Sequence, residues 1–257
     1  MVRQAGGKLA HFTSFDTVIP TPFAGAAIVL CPQRDASFNV AVQSATTKFK
    51  GCLQDASHPF HPRYPCANGE PSNPEDRAVL DHVASDSPYG LAACKGSARI
   101  QRVFHGITSL KALTGILSGG FAKLQTLDSG WYGVGMYFSP ELSYAWTYAR
   151  GMGSGQRDEE DKKLLRDLGL DPERRYKVVL VCDVVYGNPF PCHDAKQFLG
   201  KPLVSRHDAH VAVVDRSNNC KPRPSKEWQA HSDTLASEIV IDQASNILVR
   251  GVLFFLD

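Results

Sequence analysis

The chain lacks the long apolar run that a membrane span requires. Its longest apolar stretch near the start, residues 23–31 (FAGAAIVLC), falls well short of the ~20 residues that cross a bilayer. That stretch also begins too far in, and without a charged lead, to read as a secretory leader, although a chain delivered by a specialised secretion apparatus would carry none. An excess of one charge is missing too. Lys and Arg number 28 against 26 Asp and Glu, and a net charge of +2 gives no bulk drive toward nucleic acid or an anionic membrane. A disulfide pattern is also absent: the seven cysteines (Cys31, Cys52, Cys66, Cys94, Cys182, Cys192 and Cys220) are odd in number and irregularly spaced. Cys182 lies in an apolar run where a reduced, buried thiol is the simplest state, so a reducing, cytoplasmic compartment is expected rather than a disulfide framework. Internal repeats are absent. What remains is a globular composition, 43% hydrophobic and 21% charged over 257 residues, enough for one large domain or a domain with an N-terminal region. A monomer without a membrane partner is expected.

The text changes character near residue 97. Residues 1–96 read as irregular and turn-rich, as in HPFHPRYP at 58–65, with helical signal only over Pro74–Ser85, where Asn73 or Ser72 could cap. From Ala98 onward the elements are clean. Ile100–His105 reads as a strand, and Thr108 or Ser109 caps a helix closed by Gly119 and Gly120. Gly135–Phe138 is a short strand, and Ser139-Pro140-Glu141 opens a helix to about Arg150. Residues 158–170 suit a surface helix, and Tyr176–Tyr186 (YKVVLVCDVVY) a core strand. Ala209–Val214, Glu238–Asp242 and Ile247–Leu256 complete the strands, with a polar loop over 216–236. Strands dominate and helices are few, which predicts an α+β class of two packed, mostly antiparallel sheets with flanking helices, over a division into 1–96 and 97–257.

Three of these segments carry a polar residue that a strand does not need: His105 followed by Gly106, Tyr137, and Glu238. A carboxylate such as Glu238 can stabilise positive charge developing on a sugar and hold a hydroxyl beside it. A neutral imidazole at His105 can hold a ribose hydroxyl, and the Gly106 backbone can approach a carboxamide closely. Tyr137 and Tyr148 are candidates to hold a flat ring between two aromatic faces, each contact contributing ~1 kcal/mol beyond burial. Singly, each has a plainer reading: a solvated edge-strand Glu, a structural His, core aromatics. For Tyr144 and Trp146 the core reading is preferred. Gly130, Gly133 and Gly135 fit a tight turn beside a ligand as well as an ordinary hairpin.

Jointly, in this order and context, residues 102–148, 176–189 and 237–248 resemble the catalytic domain of ADP-ribosyltransferases of the His-Tyr-Glu class, the group of poly(ADP-ribose) polymerases and diphtheria-toxin-like enzymes. The resemblance covers roughly residues 97–257 and implies the ADP-ribosyltransferase fold and NAD as substrate, with no catalytic metal. It further implies that His105 binds the adenosine ribose, the Gly106 backbone binds the nicotinamide carboxamide, Tyr137 and Tyr148 sandwich nicotinamide, and Glu238 is catalytic. Two positions depart from the pattern. Ala145 stands where the polymerases carry a carboxamide-binding Ser and the toxins a small residue. Ala236 stands where arginine-modifying toxins carry Glu or Gln, which argues against an arginine acceptor. Transfer of a single ADP-ribose to a protein side chain is expected, with ubiquitin only one conceivable target, and a bacterial effector or toxin the favoured origin. The alternatives are an NAD glycohydrolase, a nucleic-acid-directed transferase, and an inactive ADP-ribose-binding module.

Lys221, Arg223 and Lys226 with Trp228, in the loop before Glu238, form a candidate acceptor grip of basic charge beside one aromatic; a plain solvated loop is equally in keeping with the text. Cys52, His58, His61 and Cys66 have ligand chemistry for zinc, but their spacing matches no common finger, so structural zinc is not expected. His207 and His210 with Cys220 form a weaker set still, His210 reading as an alternating strand residue.

Overall fold

The computed structural model describes residues 2–4, 22–50, 66–67, 70–71, 73–85, 98–121, 130–151 and 158–257. The elements run β1 (Val2–Gln4), β2 (Phe23–Val29), α1 (Pro32–Phe49), β3 (Cys66–Ala67), β4 (Glu70–Pro71), α2 (Pro74–Ser85), β5 (Arg99–Ile107) and α3 (Leu110–Gly119). They continue with β6 (Met136–Phe138), α4 (Leu142–Tyr148), α5 (Glu159–Asp167), β7 (Tyr176–Tyr186), β8 (Pro189–Pro191), α6 (Ala195–Phe198), β9 (Ala209–Asp215), β10 (Lys221–Pro222), β11 (Leu235–Ile241) and β12 (Ile247–Leu256). The first sheet has the antiparallel order β1-β2-β12-β7-β5, and the second β10-β9-β11-β6 with β8 added parallel to β9. This is the mixed, two-sheet α+β architecture that the strand-rich text predicts. Among the described residues no helix is long and apolar enough to cross a membrane.

The pleat explains why β7 can be apolar almost throughout. Val178, Leu180, Cys182 and Val184 face the core shared with Val211, Val213, Ile239 and Ile241 of the second sheet. The alternate residues Val179 and Val181 meet Leu142 and Ala145 of α4 and Ala149 just after it, and Val185 joins Phe38, Ala41, Ala45 and Phe49 of α1. Both faces are therefore covered, and the Cys182 thiol, pushed up by burial, is an inert part of the core.

Several expected boundaries move. Helical signal before residue 97 was expected only at Pro74–Ser85, yet α1 spans eighteen residues there. Its buried face is Phe38, Ala41, Ala45 and Phe49, so two alanines blunt the apolar stripe that a periodicity search seeks. β2 also lies before residue 97, and it pairs with β12 in the same sheet as β5. The Asn73 cap is present, its side chain accepting from the Glu75 amide at 3.0 Å. Ser109 caps α3 through the Ala112 amide at 3.1 Å, and Gly120 closes it at φ 90°. By contrast α4 is only seven residues long, starts after Glu141 and ends at Tyr148, so Tyr148 is its last residue. The 216–236 segment is not a plain loop: it holds β10, two 3-10 turns and the first two residues of β11.

Candidate active site

The two sheets meet edge to edge at β5 and β6. Phe104 and Ser139 exchange backbone hydrogen bonds of 2.7 and 3.1 Å, while β6 pairs on its other side with β11. This seam gathers the three residues singled out above. His105 lies within β5 rather than at its end, Tyr137 is the middle residue of β6, and Glu238 is the fourth residue of β11, not its first. Val240 stands opposite Tyr137, which sets Glu238 level with Ser139, one step past the paired residues.

His105 alternates with Phe104 and so points to the core side, where its ring packs on Phe121 and Phe138 at centroid distances of 5.2 and 5.5 Å. Its Nδ1 donates to the Tyr137 carbonyl at 2.8 Å, which assigns the proton to Nδ1 and leaves Nε2 an acceptor. Burial lowers its pKa, and the Tyr137 carbonyl opposes that only in part, so the ring is neutral near pH 7. Gly106 follows with two constraints. A Cβ there would lie 2.3 Å from the Ala145 carbonyl and 2.7 Å from the Ala149 amide, so α4 sits directly on it. Its peptide groups obey strand parity: since the Phe104 N–H and C=O turn away from β7 to Ser139, those of Gly106 turn to the same open edge. Ala145 is buried against that junction.

Tyr137 is fixed by its own turn. Its hydroxyl donates to the Gly133 carbonyl at 2.7 Å and accepts from the Tyr132 amide at 2.8 Å. The surrounding glycines are required by close packing. A Cβ on Gly135 would meet Val240 at 2.6 Å, and Gly133 has φ 111° with His210 Nδ1 3.0 Å from the Cβ position. His210 is itself committed: Nδ1 donates to the Tyr132 carbonyl at 2.6 Å and Nε2 accepts from the Val204 amide at 2.8 Å. It is therefore structural, like His207, whose Nδ1 meets the Asn188 carbonyl at 3.1 Å.

Glu238 is 7% exposed and faces the outer side of the second sheet, beside Tyr132, Tyr144 and Ala212. Its Oε1 accepts a hydrogen bond from the Tyr144 hydroxyl. Tyr144 in turn lies 2.8 Å, oxygen to oxygen, from Tyr148, and Tyr148 lies 3.5 Å from the Cys220 sulfur. The two tyrosine rings meet edge to face at 5.2 Å and 82°. Tyr148 is 49% exposed, a ring presented at the surface beside the buried acid. Burial, followed by the charge of Glu238, drives the Tyr144 and Tyr148 hydroxyls far above the ordinary tyrosine range, so both remain neutral. Sequence reasoning set Tyr144 aside as core, and it is buried, but its hydroxyl is the group that meets the acid. The available signal was its position one turn before Tyr148 on one helical face.

The expected acceptor grip is only partly available. Lys221 is exposed. Arg223, however, is turned inward to the buried Asp215 carboxylate and to Glu227, the latter at 3.2 Å. Trp228 donates to the Arg223 carbonyl at 2.9 Å and packs on His82 with centroids 5.0 Å apart. Both side chains fasten the segment to the body, which leaves Lys221 and Lys226 as the exposed cations of the expected patch. Cys52, His58 and His61 lie outside the described residues, as does the side chain of Cys66. Among the described residues no cluster of His, Cys, Asp or Glu could hold a metal. In comparisons with known proteins, no protein-family model matches the chain and no curated protein matches it.

Proposed function

We propose that the chain is an NAD-dependent ADP-ribosyltransferase whose site lies on the β5–β6–β11 seam. One observation supports the reading: at a single strand junction β5, which carries a neutral His105 and the outward peptide edge of Gly106, borders β6 with Tyr137, and β6 pairs with β11, which carries Glu238. An outward N–H and C=O on one residue match the C=O and N–H₂ of a carboxamide, the group that nicotinamide carries. An aromatic residue on the neighbouring strand suits a flat heterocycle.

In the reaction, the bond from nicotinamide nitrogen to ribose C1′ breaks and its electron pair leaves with nicotinamide. Positive charge develops on the ribose, and Glu238 is suited to stabilise it, because a buried carboxylate acts in a low-dielectric setting. An acceptor then bonds to C1′ and loses a proton. The favoured acceptor is a protein side chain other than arginine, since Ala236 supplies no second acid two residues before Glu238. The inward commitment of Arg223 and Trp228 favours, as the second reading, a glycohydrolase in which water is the acceptor.

Incubation of wild type and Glu238→Ala with biotin-labelled NAD and a cell lysate tests both readings. A discrete labelled band one ADP-ribose heavier, absent with the variant, supports the transferase. Nicotinamide release without label supports the glycohydrolase, and no NAD turnover refutes both.

A further inference from the structure

The hydroxyl that meets Glu238 comes from a residue with no role in the reading above, and its surroundings give it one. Tyr144 has a single proton. Donating it to the Glu238 carboxylate leaves the phenol oxygen to accept, so at the 2.8 Å contact Tyr148 is the donor. On its other side the Tyr148 hydroxyl lies 3.5 Å from the Cys220 sulfur. The row Cys220–Tyr148–Tyr144–Glu238 is thus polarised toward the carboxylate over its two tyrosines, where one donor strengthens the next. The row is anchored at both ends. Tyr144 is 3% exposed, with Arg216 spanning Ser143 and the Leu235 carbonyl at 3.2 and 3.0 Å beside its ring. Cys220 is held by its amide to the Asp215 carbonyl at 3.0 Å and by its carbonyl to the Tyr132 hydroxyl at 2.8 Å.

We propose that Tyr144 is the positioning residue for Glu238: it fixes the carboxylate's orientation and supplies a donor that favours the ionised form. The inference rests on the transferase reading for its catalytic consequence but not for the contact itself. A neutral donor suits this place. A guanidinium or ammonium would hold the carboxylate as firmly but would cancel the negative charge that an oxocarbenium-like ribose needs. Besides Tyr144, the titratable groups around Glu238 among the described residues include Tyr132, Tyr148, Cys192 and Cys220, with Glu141 joined to the adjacent Ser237 amide at 3.0 Å and Arg216 beyond the Tyr144 ring. All stay in place when only the Tyr144 oxygen is removed.

The test is Tyr144→Phe in the full chain, read in two ways. In protein labelled with carboxyl-¹³C glutamate, the Glu238 resonance is assigned by its loss in Glu238→Gln and titrated by NMR. The midpoint should rise in Tyr144→Phe, because a donor to the ionised form has gone. In nicotinamide release from NAD, kcat should fall about 10- to 100-fold, the worth of one hydrogen bond to a charged group, with KM within about two-fold and the acid limb moved to higher pH. If Tyr144→Phe unfolds, Tyr144→Met carries the same titration in a chain that keeps an apolar side chain of similar length. An unchanged or lowered midpoint overturns the positioning role whatever the activity. A raised midpoint in a chain that releases no nicotinamide upholds the contact and sinks the transferase reading instead.

Discussion

Asp215 and Glu238 are buried carboxylates on the neighbouring strands β9 and β11, 0% and 7% exposed, and the sheet treats them in opposite ways. Burial pushes the Asp215 carboxyl up, but hydrogen bonds from Ser217, Arg223 and Thr234 outweigh it and hold the group well below the usual aspartate range. Its charge is spent on a cation, and the result is an anchor that ties the 216–234 segment to the sheet. Glu238 receives the neutral hydroxyl of Tyr144. The difference is one of donor type: a guanidinium and hydroxyls hold Asp215, and a phenol hydroxyl meets Glu238. Asp183 repeats the first pattern in the other sheet, between Arg102 at 2.6 Å and Arg250 at 2.7 Å.

The contrast can be broken at either acid. Glu238→Ala should lower nicotinamide release by about 10³-fold, as loss of a principal charge-stabilising group does, while thermal unfolding stays within a few degrees of wild type. A collapse of the fold would make Glu238 an anchor as well. Asp215→Asn should do the reverse: the melting temperature drops by several degrees and release per folded molecule hardly changes. The sign of its pH dependence follows from a lowered folded pKa. The stability contributed by Asp215 is fully present above the unfolded value of about 4 and is lost as pH falls below it, so acid unfolding of wild type should steepen there and that of Asp215→Asn should not.

Smaller effects sharpen the picture. Gly106→Ala forces a Cβ into the α4 backbone and should destabilise by about 1–3 kcal/mol, measurable by urea unfolding, with weaker nicotinamide binding. His105 and His210 are held neutral by burial, so the unfolded chain binds more protons below about pH 6.5. Stability should therefore decline as pH falls through that value, and His105→Gln should flatten the slope. Lys221→Ala, at an exposed member of the expected acceptor grip, should reduce transfer no more than about three-fold and leave NAD hydrolysis unchanged, a rim-charge effect read by label incorporation.

The strands around the site were legible because their composition is one-sided: Tyr176–Tyr186 and Ile247–Leu256 are where the text puts them. The β5 and β6 segments with their polar residues were legible for the same reason. Glu238 was misplaced at a strand start because Leu235 and Ala236 follow polar text and read as loop, although both are buried. α1 was missed because alanines carry much of its buried face. The fate of Arg223 and Trp228 could not be read, since their partners Asp215 and His82 are distant contacts that local composition does not encode. Tyr144 was set aside for a related reason: its partner Glu238 lies ninety-four residues away.

The most direct test of the central claim is nicotinamide release from NAD by wild type and by Glu238→Gln, at equal concentrations of protein shown to melt alike. The account predicts steady release by wild type and a loss of about 10³-fold with the amide, which keeps the shape of the side chain and removes its charge. Equal release by the two proteins, or none by wild type, would contradict it.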